Sequence, residues 1–192
     1  YEGEVADDMI SSLRALGGLH DLADLAAVKA EWTDPISAPY QGVELIEHPP
    51  NGQGATALLM LNILKHFDLA ILDPFGASRA HLEAEAAKLA YDARNRFIAD
   101  PTARLDHMLA PETAARLAAL IDPKRVLPDP APLTESVHKD TVYITVVDRD
   151  RMAVSLIYSI FWGFGSGLAS RKFGINFQNR GAGFSLIPGH PN

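Results

Sequence analysis

Apolar residues recur at helical spacing through most of the chain and crowd into two β-rich runs near its end, with a polar, proline-rich tract between. Val5, Met9, Leu13 and Leu16 predict a first helix that stops at Gly17-Gly18, where a left-handed C-cap belongs. Leu22 to Val28 reads as a second, short helix. Pro35 and Pro39 then impose an extended passage into Gly42–Glu47, which alternates like a half-buried strand and ends at Pro49-Pro50. Asn51-Gly52-Gln53-Gly54 is a flexible entry to Ala55–His66, a segment apolar enough to be a helix buried on most sides. It has no lysine for a phosphate loop. A long amphipathic helix is expected over Ser78–Ile98, with Leu82, Ala86, Leu89, Ala90, Ala93 and Phe97 inward and Arg79, Glu83, Glu85, Lys88 and Arg94 around them. Asp100-Pro101 ends it, and Pro111 opens another short helix reaching about Ile121.

Leu127–Asp140 carries Pro128, Pro130 and Pro132 and then a polar stretch, the composition of an exposed loop open to cleavage. Beyond it, Thr141–Val147 and Met152–Ile160 form an antiparallel hairpin joined by Asp148–Arg151, and simple counting sets Tyr158 opposite Thr141. Helices precede the loop and sheet follows it, an α+β arrangement. Gly163, Gly165, Gly167, Gly174, Gly181 and Gly183 come next, a density suited to turns that bring backbone close to a ligand. There is no internal repeat.

Composition narrows the chemistry. With 24 acidic against 17 basic residues, a net charge of −7 and no basic stripe, a nucleic-acid partner is not expected. No apolar run approaches the ~20 residues of a membrane helix. The chain has no cysteine, so disulfides and thiolate metal sites are excluded, while the compartment stays open between cytoplasmic and periplasmic or secreted. Tyr1-Glu2-Gly3-Glu4 has no signal pattern, although a signal could precede it. His48, His66, His81, His107, His138 and His190 lack ligand spacing, and Asp148 and Asp150 lack a calcium-loop pattern, so neither metal nor cofactor is expected.

Thr141 is the residue that could decide the chemistry. Cleavage between Asp140 and Thr141 would give this threonine a free α-amine, and such an amine serves as the base for its own hydroxyl. Without cleavage it is a β-branched residue suited to a strand. Trp162–Phe164 could line an acyl pocket or pack on the hairpin, and Asn179 could hold its turn through backbone hydrogen bonds.

Six stretches stand in order along the chain: Gly17-Gly18-Leu19 with Asp24-Leu25-Ala26; Pro49-Pro50-Asn51-Gly52-Gln53-Gly54; Tyr91-Asp92-Ala93-Arg94 before Asp100-Pro101; Asp140-Thr141 with Val146-Val147-Asp148; Phe164-Gly165-Ser166-Gly167; and Asn179–Leu186. In them the chain resembles the γ-glutamyltransferase family. The resemblance implies an N-terminal-nucleophile hydrolase αββα sandwich, seen as a fragment. Residues 1–140 would end a large subunit and residues 141–192 would begin a small one, released by autocatalytic cleavage at Asp140 and Thr141 and expected to remain partners. A homodimer of such heterodimers is left open. The family's oxyanion-hole glycines would fall after Asn192 and its carboxylate-binding arginine before Tyr1.

Carried over by position, Thr141 is the catalytic nucleophile acting on a small-molecule amide, and Ser159 is the hydroxyl residue that assists it. Phe161, Arg180 and Gly183 stand where transpeptidases grip the γ-glutamyl group, with Asn179 beside them, and they differ in character. Replacing an amine-binding acid by Gly183 and adding the Arg180 guanidinium shifts the preferred bound group from ammonium toward carboxylate. The Asn179–Leu186 stretch, with the following His190-Pro191-Asn192, is similar to the amidohydrolase and acylase branch of the family. The expectation is therefore an amidohydrolase or acyltransferase for a small acidic acyl group. A γ-glutamyl transpeptidase acting on glutathione, or a non-catalytic binding or assembly relative, are the alternatives.

Overall fold

The computed structural model describes residues 1–100, 104–128 and 142–190. In chain order the elements are α1 (Glu4–Arg14), α2 (Leu22–Ala26), β1 (Ile36–Tyr40), β2 (Val43–Glu47), α3 (Gly54–Leu64), α4 (Ala77–Phe97), α5 (Leu105–Leu109), α6 (Pro111–Ala118), β3 (Val142–Val147) and β4 (Ala153–Tyr158). Asp140 and Thr141, and with them the expected cleavage site and nucleophile, lie outside the described residues. The chain divides into two compact units, one of Tyr1–Glu31 with Ser136–Phe184 and the other of Trp32–Glu135 with Ser185–Asn192.

In the second unit, α3 is buried on most sides, as its composition predicts: Ala55, Thr56, Leu58, Leu59, Asn62, Ile63 and Leu64 are all buried. Against it α4 presents Leu82, Ala86, Leu89, Ala90 and Ala93, all buried in the same apolar core. Met108 of α5 and Ala114 of α6 complete this core. The short helix α5 was not anticipated.

Two expectations need correction in this unit. Ile36–Tyr40 is a strand rather than an extended passage, paired antiparallel to β2 with Ala38 opposite Leu45. Gln41 and Gly42 make the connection, both at positive φ, which is the two-residue turn that matches strand twist. Pro39 is tolerated because this ribbon has only two strands, so an edge position is available to a residue without an N–H. Glu85, assigned from its charge to the solvent face of α4, is only 2% exposed. Its carboxylate accepts from Lys88 Nζ at 2.8 Å and from the backbone N–H of Leu127 at 3.0 Å, so the chain leaving α6 is tied across it.

In the first unit, α1 ends in a Schellman motif. Gly18 N–H reaches Leu13 O at 2.9 Å and Gly17 N–H reaches Arg14 O at 3.0 Å, with Gly17 at φ 87°. Its buried face is not the predicted one: Ala6, Asp8, Ile10 and Ser12 are buried, whereas Val5 and Leu16 are exposed. α2 starts from a reciprocal capping box between Asp21 and Asp24.

β3 and β4 pair antiparallel from Val142↔Tyr158 to Val147↔Ala153. This register differs by one residue from simple counting. The connection is five residues, Asp148–Met152, with Arg151 at φ 66° and Asp148 Oδ1 accepting from the N–H groups of Asp150 and Met152. The left-handed residue adds one position to the loop. Both strands are exposed along their length although Val142, Ile144, Val146, Val154 and Leu156 are apolar. Near-continuous apolar runs of this kind belong to strands covered on both faces.

Burial pushes the Glu85 carboxyl up, but the Lys88 hydrogen bond, the Leu127 N–H and the charges of Lys88 and His81 outweigh it and hold the group below its ordinary 4.5. The unfolded chain therefore binds this proton more readily than the folded one. The resulting stabilisation is complete above pH 4.5 and is lost as pH falls through the lower folded value. In the full-length protein, Glu85→Gln should lower the urea midpoint at neutral pH, and the gap from wild type should close on acidification. A gap that stays constant into the acid range would contradict this assignment.

Candidate active-site cleft

The first unit contains a cleft of about 660 Å³ at the open end of the β3–β4 hairpin. Val142, Tyr158, Ser159 and Ile160 line one side, and Gly163, Gly174, Ile175 and Asn176 contribute the rest. Of the site residues carried over from the family by position, Ser159 is the described one on this lining. Its Oγ accepts the N–H of Phe161 at 3.0 Å, a local turn that redirects the chain as it leaves β4. Phe161 follows at φ 83°, a left-handed value that a bulky residue adopts only under local constraint.

Phe161, Asn179, Arg180 and Gly183 do not line the cleft but form a cluster next to Ser159. Asn179 bridges back to the strand exit, its N–H donating to Ile160 O at 3.2 Å and its Oδ1 accepting from Trp162 N–H at 3.1 Å. The Arg180 guanidinium donates from Nη2 to the Ser159 carbonyl at 3.2 Å and lies 5.4 Å from the centre of the Phe161 ring. Its backbone N–H is held by the Gln178 side chain. Arg180 opens a 3-10 turn through Gly183, and a Cβ on Gly183 would touch Phe161 at an ordinary 3.9 Å. The turn therefore sits over the phenyl ring with room for one methyl group.

The rest of the lining belongs to a glycine-rich loop returning on itself. Ser166 N–H and Phe177 O bond at 2.8 Å, Phe177 N–H and Leu168 O at 2.9 Å, and Ser170 N–H and Ile175 O at 2.9 Å. Gly165 sits at φ 56°, where any Cβ would collide with the Phe177 carbonyl. Only glycine fits there. Gly163 and Gly174, expected from sequence in turns that bring backbone close to a ligand, are on the lining, whereas Asn176 was not anticipated. The signal for Asn176 was the short return of Ser170 to Ile175 around Gly174, which brings it back beside Ala169. Among the described residues no group of three or more His, Asp or Glu could hold a metal ion, and no described helix is long and apolar enough to cross a membrane.

The hairpin, the hydroxyl at its open end and the glycine-rich wall can be set against known proteins. The gamma-glutamyltranspeptidase family model matches residues 1–192. The chain belongs to the gamma-glutamyltranspeptidase family. It is 35% identical over 195 residues to the glutathione hydrolase-like YwrD proenzyme of Bacillus subtilis, covering 100% of this chain and 36% of that protein. It is also 35% identical over 193 residues to the oxamate amidohydrolase proenzyme of Klebsiella pneumoniae, covering 99% of this chain and 36% of that protein. The crystal structure of Helicobacter pylori gamma-glutamyltranspeptidase is similar over 72% of this chain and 41% of that one, with a TM-score of 0.64 at 26% identity. The fold is therefore α+β, part of the αββα N-terminal-nucleophile hydrolase sandwich. This gamma-glutamyltranspeptidase family chain spans 36% of the length of those two curated relatives.

Gly165→Ala tests the glycine-rich wall. The left-handed backbone and the approach of the Phe177 carbonyl should make it cost about 1–3 kcal/mol, read as a lower denaturant midpoint. Gly183→Ala, which meets only ordinary contact, should stay within about 0.5 kcal/mol of wild type.

Proposed function

We propose that the protein containing this chain is an autoprocessed N-terminal-threonine amidohydrolase or acyltransferase that cleaves an amide of a small acidic acyl group. In this reading residues 1–140 close a large subunit and residues 141–192 open a small one. The observation that carries it is the hairpin register. Val142 is paired with Tyr158, and Ser159, the residue that follows Tyr158, lines the cleft together with Val142. Family membership supports the same chemistry, and both relatives at 35% identity are named as proenzymes.

The steps follow from the groups present. The Thr141 hydroxyl attacks the Asp140 carbonyl carbon, the peptide C–N bond breaks, and the acyl group passes from nitrogen to oxygen. Water hydrolyses this ester, leaving the Asp140 carboxylate and a free Thr141 amine. In turnover the amine takes the hydroxyl proton, the alkoxide adds to the substrate amide, the substrate's amine leaves, and water or an acceptor amine resolves the acyl-enzyme. Ser159 assists both attacks, since a serine hydroxyl can both donate and accept a hydrogen bond. Arg180 takes the acidic end of the acyl group, its fork pre-oriented by the Phe161 ring and the Ser159 carbonyl. Asn179 holds that turn against the strand exit, and Gly183 keeps the space above Phe161.

The full-length protein should yield a small subunit whose first residue is Thr141, seen by intact mass and terminal sequencing. Thr141→Ala should remain one chain with no amide hydrolysis, and an active enzyme with an uncut Asp140–Thr141 bond would sink the mechanism. Among probe substrates, oxamate hydrolysis should fall about ten- to a hundredfold in kcat/KM on Arg180→Gln, the loss of one charge-assisted contact. Preferential turnover of γ-glutamyl anilides, accelerated by dipeptides and indifferent to Arg180, would favour a glutathione-type transpeptidase instead.

A further inference from the structure

The buried face of α1 carries two polar residues one turn apart, Asp8 and Ser12, and both are aimed at a single loop. Asp8 Oδ1 accepts the backbone N–H of Lys172 at 2.9 Å, Asp8 Oδ2 accepts that of Phe173 at 2.9 Å, and Ser12 Oγ accepts that of Arg171 at 3.0 Å. Ser12 Oγ also lies 3.5 Å from Asp8 Oδ1. Three successive N–H groups thus point at one helix face, the concave arrangement that binds anions elsewhere. Here a carboxylate of the same chain fills it. Asp8 is 8% exposed. Burial pushes its carboxyl up, but the hydrogen bonds from Ser170, Phe173, Lys172 and Ser12 outweigh that and hold it below its ordinary 3.8, so it is charged at neutral pH.

The captured segment is continuous with the cleft. Gly174, Ile175 and Asn176 follow Phe173 directly, and all three line the cleft together with Ser159. Ser170 closes the loop from the other side, its Oγ accepting the Ile175 N–H at 3.1 Å. Gly174 sits at φ 66°, so the chain reverses immediately after the two N–H groups that Asp8 holds. The outer ion pair of Lys172 with Glu4, at 2.7 Å, is exposed and adds little.

We infer that Asp8 is a positioning residue for the acyl-binding cleft: its carboxylate, with Ser12, clamps residues 171–173 and thereby fixes Gly174–Asn176 on the lining they share with Ser159. This rests on the proposed reading of the cleft. In that reading the clamp also crosses the cut, because α1 belongs to the large subunit and the loop to the small one. A wall held from one side of the break to the other keeps its place when the intervening peptide bond is gone.

The test uses the full-length protein as wild type, Asp8→Ala, Asp8→Asn and Ser12→Ala, with oxamate and γ-glutamyl p-nitroanilide as probes. In Asp8→Ala, amide exchange over residues 171–176 should accelerate about tenfold or more, since two hydrogen bonds to a charged acceptor are lost, while β3–β4 exchange stays at the wild-type rate. KM for the hydrolysed probe should rise about five- to tenfold with kcat within about twofold, as expected when ground-state and transition-state binding weaken together. Asp8→Asn keeps one carbonyl acceptor and should move both readouts in the same direction by less. Should Asp8→Ala fail to fold, Ser12→Ala gives the same two readouts from the Arg171 contact alone. Unchanged exchange at 171–176 overturns the clamp, and accelerated exchange with an unchanged KM overturns its role in the cleft. A wild-type protein that hydrolyses neither probe overturns the enzymatic reading instead, and the exchange result then still decides the clamp.

Discussion

The turn at Asp148 governs what the rest of the site can be. Its carboxylate accepts two backbone N–H groups, those of Asp150 and Met152, and so stabilises a loop with Arg151 in a left-handed conformation. A hairpin has no freedom to adjust once its loop is chosen, because a slip of one residue turns every side chain to the other face. The choice made at residues 148–152 therefore determines which strand residue stands at the far end of the ladder, six pairs away. Ser159 reaches the cleft by that route, and its own bond to Phe161 N–H then bends the chain into the Arg180 cluster.

Two buried carboxylates do related work in separate units. Glu85 on α4 captures the N–H of Leu127, and Asp8 on α1 captures those of Lys172 and Phe173. In each case a helix supplies an acceptor to backbone that has no regular partner of its own, and an unmet buried N–H is costlier than a buried carboxylate that is fully hydrogen-bonded. Pairing also keeps both groups charged. The protein thus uses acidic residues as fixed acceptors for irregular chain, which accounts for their position on helix faces that apolar periodicity would assign to the core or to solvent.

Much of the architecture was legible because its determinants are local. Gly17-Gly18, Pro111 and the apolar residues of α3 and α4 mark their elements through backbone conformation or periodicity, and the structure has a helix at each. What escaped was set by contacts distant in sequence. Glu85 carries the signature of a surface residue until Leu127, 42 positions later, lies across it. Asp8 and Ser12 are ordinary helix residues until residues 171–173, more than 150 positions away, close on them. Ile36–Tyr40 was hidden by Pro39, and the turn that pairs it with β2 depends on Gln41 adopting a positive φ, which its residue type does not advertise. At the site, Ser159 and the Arg180 group were recognisable from motif position, whereas Asn176 and its neighbours owe their place to a loop fold.

Arg180 shows how recognition and chemistry would be joined. A guanidinium has five donors, and the bond to the Ser159 carbonyl uses one. The Phe161 ring, 5.4 Å from the guanidinium carbon, restrains it further, so a carboxylate meeting that fork would find less side-chain entropy left to lose on binding. The carbonyl that orients the arginine belongs to the residue whose hydroxyl lines the cleft. The bond thus couples the guanidinium to the peptide group of Ser159, and Phe161 at φ 83° follows two residues after it. An acidic acyl group held there would bind to and align the same backbone segment that presents the hydroxyl.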